Sequence, residues 1–139
     1  MATEILVPSY HFFDRKNDAE RERRLLRELA DVPERTTRLF CVRCRHLITA
    51  QEQRIDVNGA HRHTCTNPHG LTFDIGCFRE APGCAALGEA TTEFTWFPGY
   101  AWRIADCAKC GAHLGWSFTS LGGGFYGLIL NRLTSEKTR

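Results

Sequence analysis

Residues 93–118 read Glu-Phe-Thr-Trp-Phe-Pro-Gly-Tyr-Ala-Trp-Arg-Ile-Ala-Asp-Cys-Ala-Lys-Cys-Gly-Ala-His-Leu-Gly-Trp-Ser-Phe. All three tryptophans of the chain, Trp96, Trp102 and Trp116, lie in this stretch, beside a Cys-x-x-Cys pair, Cys107 and Cys110. Pro98-Gly99 suits the two central positions of a type II turn. That turn joins an expected strand ending at Trp96-Phe97 to one starting at Tyr100. In the second strand Tyr100, Trp102 and Ile104 alternate with Ala101, Arg103 and Ala105, the period of a half-buried strand. Leu114, Trp116 and Phe118 alternate in the same way in the next. The reading is two short strands joined through a cysteine knuckle, with large aromatic rings on them.

A second Cys-x-x-Cys pair, Cys41 and Cys44, lies upstream, with the 62 residues 45–106 between the pairs. Four thiols in two such pairs supply a tetrahedral metal site, each pair gripping the ion through a tight turn. Gly111 fits the turn after Cys110, where a permissive backbone is needed. Four thiolates leave no open coordination position, so the metal is structural and not catalytic. Zinc is the default, one ion per chain; a rubredoxin-like iron site uses the same ligands. Cys65, Cys77 and Cys84 remain and read as buried small hydrophobic residues. His61 and His63 read as an exposed strand or loop, and His113 as a hydrogen-bonding neighbour of the second knuckle.

Outward from this centre the chain is simple. Its 139 residues suffice for one domain with a modest core. The formal charge of +2 argues against a nucleic-acid partner. No stretch approaches the roughly 20 apolar residues that cross a bilayer, and the first twenty residues lack a signal-peptide pattern, so no membrane partner and a cytoplasmic location are expected. Seven cysteines, an odd number, fit metal-bound thiolates in a reducing compartment better than a disulfide framework. Asn17 and Glu20 suit an N-cap and its partner, opening a helix from about 18 to 30. The expected organisation is an N-terminal arm and helix packed on the domain over 1–36, a β domain over 37–134, and a polar tail over 135–139. Asn67-Pro68-His69-Gly70 has a type I turn pattern.

Taken together, Trp96-Phe97-Pro98-Gly99-Tyr100-Ala101-Trp102, the Cys107/Cys110 pair, His113-Leu114-Gly115-Trp116-x-Phe118 and Phe125-Tyr126-Gly127-Leu128 resemble the thalidomide-binding CULT domain of the cereblon family. Cys41/Cys44 and Asn67-Pro68-His69-Gly70 match in order, and the likeness covers roughly 40–133. The chain is too short for the Lon-like and helical parts of full-length cereblon, so it is similar to the single-domain bacterial members. The resemblance implies a mostly β fold, a β-tent of two antiparallel sheets pinned by zinc on Cys41, Cys44, Cys107 and Cys110. It implies a pocket walled by Trp96, Trp102 and Trp116, with Phe118 at its base and Asn67-Pro68 at its mouth. The implied ligands are cyclic imides such as glutarimide and thalidomide-type compounds, uracil-like rings, and cyclic imides at modified protein C-termini. The imide edge then pairs with the backbone of Phe94 and Trp96. Animal members carry histidine at the position of Phe94, whose ring adds a hydrogen bond that Phe94 lacks.

Other classes leave distinct traces. A zinc-bearing methionine sulfoxide reductase needs a nucleophilic cysteine C-terminal to the second pair, and none follows Cys110. A hydrolase on cyclic imides would draw on Glu93 or His69, without a visible nucleophile–base pair. A methyl-lysine reader would use the same rings with Glu93 facing the cation. The expectation is therefore a non-enzymatic binding module.

Overall fold

A computed structural model of the chain describes residues 19–27 and 38–136. Residues 19–27 are helical and belong to a first unit, residues 1–33. The expected cap at Asn17, the remainder of the N-terminal arm and residues 137–139 of the expected tail lie outside the described residues.

The second unit is a β domain of two antiparallel sheets. Strands β1 (Arg38–Cys41), β2 (Leu47–Ala50) and β9 (Leu133–Thr134) form the smaller, ordered β2-β1-β9. Strands β3 (Arg62–Thr66), β4 (Thr72–Phe78), β5 (Cys84–Thr91), β6 (Ala101–Cys107), β7 (His113–Ser120) and β8 (Gly123–Ile129) form the larger, ordered β3-β4-β8-β7-β6-β5. Every pairing is antiparallel; β1–β2, β3–β4, β5–β6, β6–β7 and β7–β8 join consecutive strands, whereas β4–β8 and β1–β9 join strands distant in sequence.

The sheets meet through backbone as well as side chains. The N–H of Gly83 donates to the Ile48 carbonyl at 3.0 Å, and Thr49 Oγ1 donates to the Glu80 carbonyl at 2.7 Å. A Cβ on Gly83 would lie 2.1 Å from the Leu47 carbonyl oxygen, so only glycine allows β2 to seat there. Two apolar clusters result. One gathers Leu39, Ile48, Phe78, Leu114 and Leu128 around the cysteines, and the other gathers Ile75, Phe97, Phe118, Phe125 and Ile129 under the tryptophans.

Two details of the aromatic stretch differ from the alternation. Trp96-Phe97 do not end a strand: β5 stops at Thr91, and residues 92–100 are a loop. The type II turn is present, with Tyr100 N–H donating to the Phe97 carbonyl at 2.9 Å and Gly99 at φ 93°. Phe97 is buried because its ring packs edge-on against Phe118 and Phe125, at centroid distances of 4.9 and 5.1 Å. In β7, Leu114 does not share the face of Trp116 and Phe118. Ala105 pairs with Gly115 but Asp106 with His113, so Leu114 is an extra residue, a β-bulge. The bulge sends Leu114 into the cluster around the cysteines and leaves His113 beside Trp116. Only glycine fits beside the bulge: a Cβ on Gly115 would lie 2.1 Å from the Gly127 carbonyl oxygen.

Candidate metal centre and aromatic cavity

Cys41 ends β1 and Cys107 ends β6; Cys44 and Cys110 occupy the tight turns that follow. The two turns have the same backbone pattern. The N–H of Cys41 donates to His46 and that of Cys107 to Ala112, at 2.8 and 2.7 Å. The N–H of Arg45 and of Gly111 return to Cys41 and Cys107, at 2.8 and 2.9 Å. Each turn needs a left-handed residue after its second cysteine: Gly111 at φ 78° and, in the first, Arg45 at φ 65°. The glycine was legible as a turn residue; the arginine, a residue type seldom found there, was not.

The four sulfurs lie within 4.8 Å of one another, with Cys41–Cys110 at 3.7 Å and Cys44–Cys107 at 3.6 Å. A disulfide would bring a pair to about 2.05 Å, and all the cysteines are free. Sulfurs at about 2.3 Å from a central ion stand about 3.8 Å apart in a tetrahedron, so these separations fit a four-thiolate metal ion. Without a cation the buried half of the cluster disfavours thiolates. Burial pushes the Cys107 thiol up to about 12 and raises Cys41 as well. At Cys110 burial also acts upward, but the Ala112 backbone and the neighbouring thiols outweigh it and bring the group down to about 7. A bound cation inverts this and deprotonates the set outright.

Cys65, Cys77 and Cys84 stand outside the cluster. Burial raises all three, Cys77 and Cys84 to about 12, so they are protonated thiols at neutral pH. His61 and His63 are half-buried, not exposed, and hold the 55–60 turn. His61 Nδ1 meets the Ile55 carbonyl at 3.2 Å, and His63 Nε2 meets those of Val57 and Ala60 at 3.0 and 2.9 Å. Their rings pack edge-on against Phe78 and Phe97.

At the other end of β6 and β7 a cavity of about 770 Å³ opens. Its lining includes Asn67, Pro68, Phe94, Trp96, Trp102, Trp116 and Phe118. Cross-strand register makes the sheet side of it. Ile104 is opposite Trp116, and Trp102 is opposite Phe118, so all four point from one face. Gly127, opposite Trp116, leaves room for the Phe118 ring; a Cβ there would lie 2.9 Å from Phe118 Cε2. The 92–100 loop and the 67–70 turn close the other side. Asn67 Oδ1 accepts from the N–H groups of His69 and Leu71, both at 2.9 Å, which fixes the turn.

The indoles fasten these loops together. Trp102 Nε1 donates to the Glu93 carbonyl at 2.8 Å, and Trp96 Nε1 donates to the Thr66 carbonyl at 3.0 Å. Trp96 stands edge-on to Trp116, with ring centroids 4.7 Å apart. Phe73 and His113 flank Trp116 at 5.3 and 4.9 Å. His113 Nε2 lies 3.0 Å from the Gly115 carbonyl; a carbonyl only accepts, so Nε2 carries the proton and Nδ1 is bare. Burial holds its pKa below the usual histidine range. Phe94 sits at φ 57°, 72% exposed, at the mouth. Among the described residues its backbone N–H and carbonyl, and the N–H of Trp96, make no hydrogen bond.

Phe73, Leu71, Ile104, Thr91 and His113 also line the cavity. Sequence reading missed Phe73 as a wall. The signal was there: Phe73, Ile75 and Cys77 share one side of β4, directly after the Asn67 turn.

The class is thus a two-sheet β domain with a four-thiolate clamp between its sheets and an aromatic cavity on the larger one. No protein-family model matches the chain. Curated proteins do. Cereblon of Danio rerio is 34% identical over 93 residues, 66% of this chain and 22% of that protein. Cereblon of Gallus gallus is 36% identical over 92 residues, 65% and 21%. Cereblon of Xenopus tropicalis is 44% identical over 55 residues, 40% and 12%. The matches to these relatives span about a fifth of their length or less. The β domain of this chain is a cereblon-type (CULT) domain.

Proposed function

We propose that the domain is a zinc-stabilised binding module that captures cyclic imides, glutarimide above all, in the three-tryptophan cavity. The same edge chemistry admits uracil-like rings and cyclic imides at modified protein C-termini. The observation that carries the reading is the pairing of three indole walls with unused backbone groups at Phe94 and Trp96. A flat ring buries its faces against indole, and its imide N–H and carbonyl meet the backbone edge. The role is binding and not catalysis: the lining of the cavity is mostly apolar, and the His113 ring is committed to the Gly115 carbonyl. Zinc fits the four-sulfur set as the structural ion. A cytoplasmic location accords with free thiols, and no helix among the described residues is long and apolar enough to cross a membrane.

The test is a tryptophan-fluorescence titration with glutarimide and with N-methylglutarimide. Eight heavy atoms at roughly 0.6–0.8 kcal/mol each give about 5–6 kcal/mol. That is a dissociation constant of tens to a few hundred micromolar. N-methylation deletes the donor and leaves a buried acceptor unpaired, so the analogue should not bind. Equal binding of the two compounds would refute the reading. A trimethyl-lysine peptide binding more tightly than glutarimide would favour a cation cage instead.

A further inference from the structure

Cys84 stands outside the four-sulfur cluster, yet it is apposed to one of its members. It opens β5 and is the cross-strand partner of Cys107 at the end of β6. The N–H of Ala108 donates to the Gly83 carbonyl at 2.9 Å, whereas the N–H groups of Cys84 and Cys107 donate elsewhere, to Ala81 and Ala112. Cys84 and Cys107 are therefore a non-hydrogen-bonded pair. In that position facing Cα atoms approach to about 4.5 Å and the side chains share a face. A disulfide spans Cα atoms roughly 4.4–6.8 Å apart. Cys84 packs on the same apolar cluster as Cys41 and Cys107. Its neighbour Gly83 is fixed by the bond to Ile48 and by its contact with Leu47. Strand pairing and backbone packing hold the thiol opposite Cys107; the metal does not.

We propose that Cys84 and Cys107 form an oxidative cross-link site, at which a peroxide makes the domain release its metal and close a disulfide between β5 and β6. Cys44 and Cys110 are half-buried while Cys41 and Cys107 are buried, so a peroxide meets the outer ligands first. At Cys44 the thiolate takes one oxygen from hydrogen peroxide, becoming a sulfenic acid, and the other oxygen leaves as hydroxide and becomes water. The Cys107 sulfur, 3.6 Å away, attacks the sulfenic sulfur and expels its hydroxyl as a second water. An ion held by Cys41, Cys44, Cys107 and Cys110 would then keep only two of its four thiolates and would be released. The Cys84 thiol gives up its proton as its sulfur attacks the Cys107 sulfur, the Cys44–Cys107 bond breaks, and the leaving Cys44 sulfur takes up that proton. Overall the Cys84 and Cys107 sulfurs lose two electrons to one peroxide, which with two protons from solvent becomes two waters, since Cys44 and Cys107 start as thiolates and Cys44 ends as a thiol. Exchange runs toward Cys84 because the β5–β6 ladder still holds it opposite Cys107 as the metal leaves, before the metal-free domain unfolds. Cys44, in contrast, lies in the turn after β1 and has no strand pairing with Cys107.

Trypsin makes the test clean. Arg79, Arg103 and Lys109 place Cys84, Cys107 and Cys110 on separate peptides, and Arg43 separates Cys41 from Cys44. The full chain loaded with zinc is treated with hydrogen peroxide, released zinc is read with a chromogenic chelator, and free thiols are alkylated before digestion. The expected product is peptide 80–103 linked to peptide 104–109, growing in proportion to zinc released and reversed by dithiothreitol with added zinc. In Cys84→Ala the zinc still leaves, and the disulfides fall among the four ligands. Should Cys84 of the wild-type chain stay fully alkylatable once the zinc is out, the proposal fails. It fails equally if peroxide leaves the zinc bound. The wild-type peptide map decides the matter even if the variant does not fold.

Discussion

Trp102 has two separable tasks in the cavity, and two substitutions divide them. Its indole face is a wall, and its Nε1 donates to the Glu93 carbonyl at 2.8 Å, fastening the loop that carries Phe94 and Trp96. Trp102→Phe keeps an aromatic face and deletes the donor. A neutral hydrogen bond of this kind contributes about 1 kcal/mol, so glutarimide affinity should fall about fivefold as the loop loosens. Trp102→Ala removes the wall as well and lets water reach the ring, costing about 2 kcal/mol or more, roughly thirtyfold. The assay is isothermal calorimetry with glutarimide, with thermal melts to show that both variants fold. If Trp102→Phe binds like wild type, the hydrogen bond does not position the imide edge. If Trp102→Ala also binds like wild type, Trp102 is no wall and the cavity is not the imide site.

Other perturbations reach other parts of the domain. Cys107→Ser, or a strong chelator, should unfold it, since structural zinc contributes on the order of 10 kcal/mol, comparable with a whole domain's stability; circular dichroism and metal analysis read this, and a metal-free folded domain would contradict it. Gly127→Ala should cost about 1–3 kcal/mol in a urea melt by driving a methyl against the Phe118 and Ile75 side chains, whereas Gly122→Ala, with open space around its Cβ, should stay within about 0.5 kcal/mol. His113, held below 6.5 first by burial and also by Arg132, against the opposing pull of Gly115 and Asp106, takes up a proton in the unfolded chain before the folded one. Its contribution is therefore complete above pH 6.5 and is lost as pH falls below it, so His113→Gln should show a shallower loss of stability on acidification than wild type.

Spacing and alternation made much of this fold legible. Two Cys-x-x-Cys pairs announce a clamp because the chemistry needs four soft ligands and two tight turns. Pro98-Gly99 and Asn67-Pro68-His69-Gly70 announce turns because proline fixes φ and glycine tolerates the positive φ that those turns demand. What escaped was set by contacts between distant segments. The β7 bulge lies where Gly115 passes within van der Waals range of the Gly127 backbone, a contact that no local period records. Trp96 and Phe97 look like strand residues, but the loop gains more by packing Phe97 edge-on against Phe118 and tying Trp96 to Thr66 than by extending β5.

The clamp and the cavity are not independent parts. Trp102 and Cys107 lie five positions apart on β6, about 17 Å at the rise of a strand. Between them Ile104 faces the cavity and Ala105 is buried in the sheet. The second cysteine turn is also the hairpin that joins β6 to β7, the two strands that supply Trp102, Trp116 and Phe118. A metal held there sets the register of that hairpin, and the register sets which side chains face the ligand, since a one-residue slip would turn every ring to the opposite face. Metal loss should therefore abolish imide binding together with folding, in one transition. Two separate transitions, with the cavity surviving the clamp, would show that the β5–β8 ladder alone suffices to hold the rings.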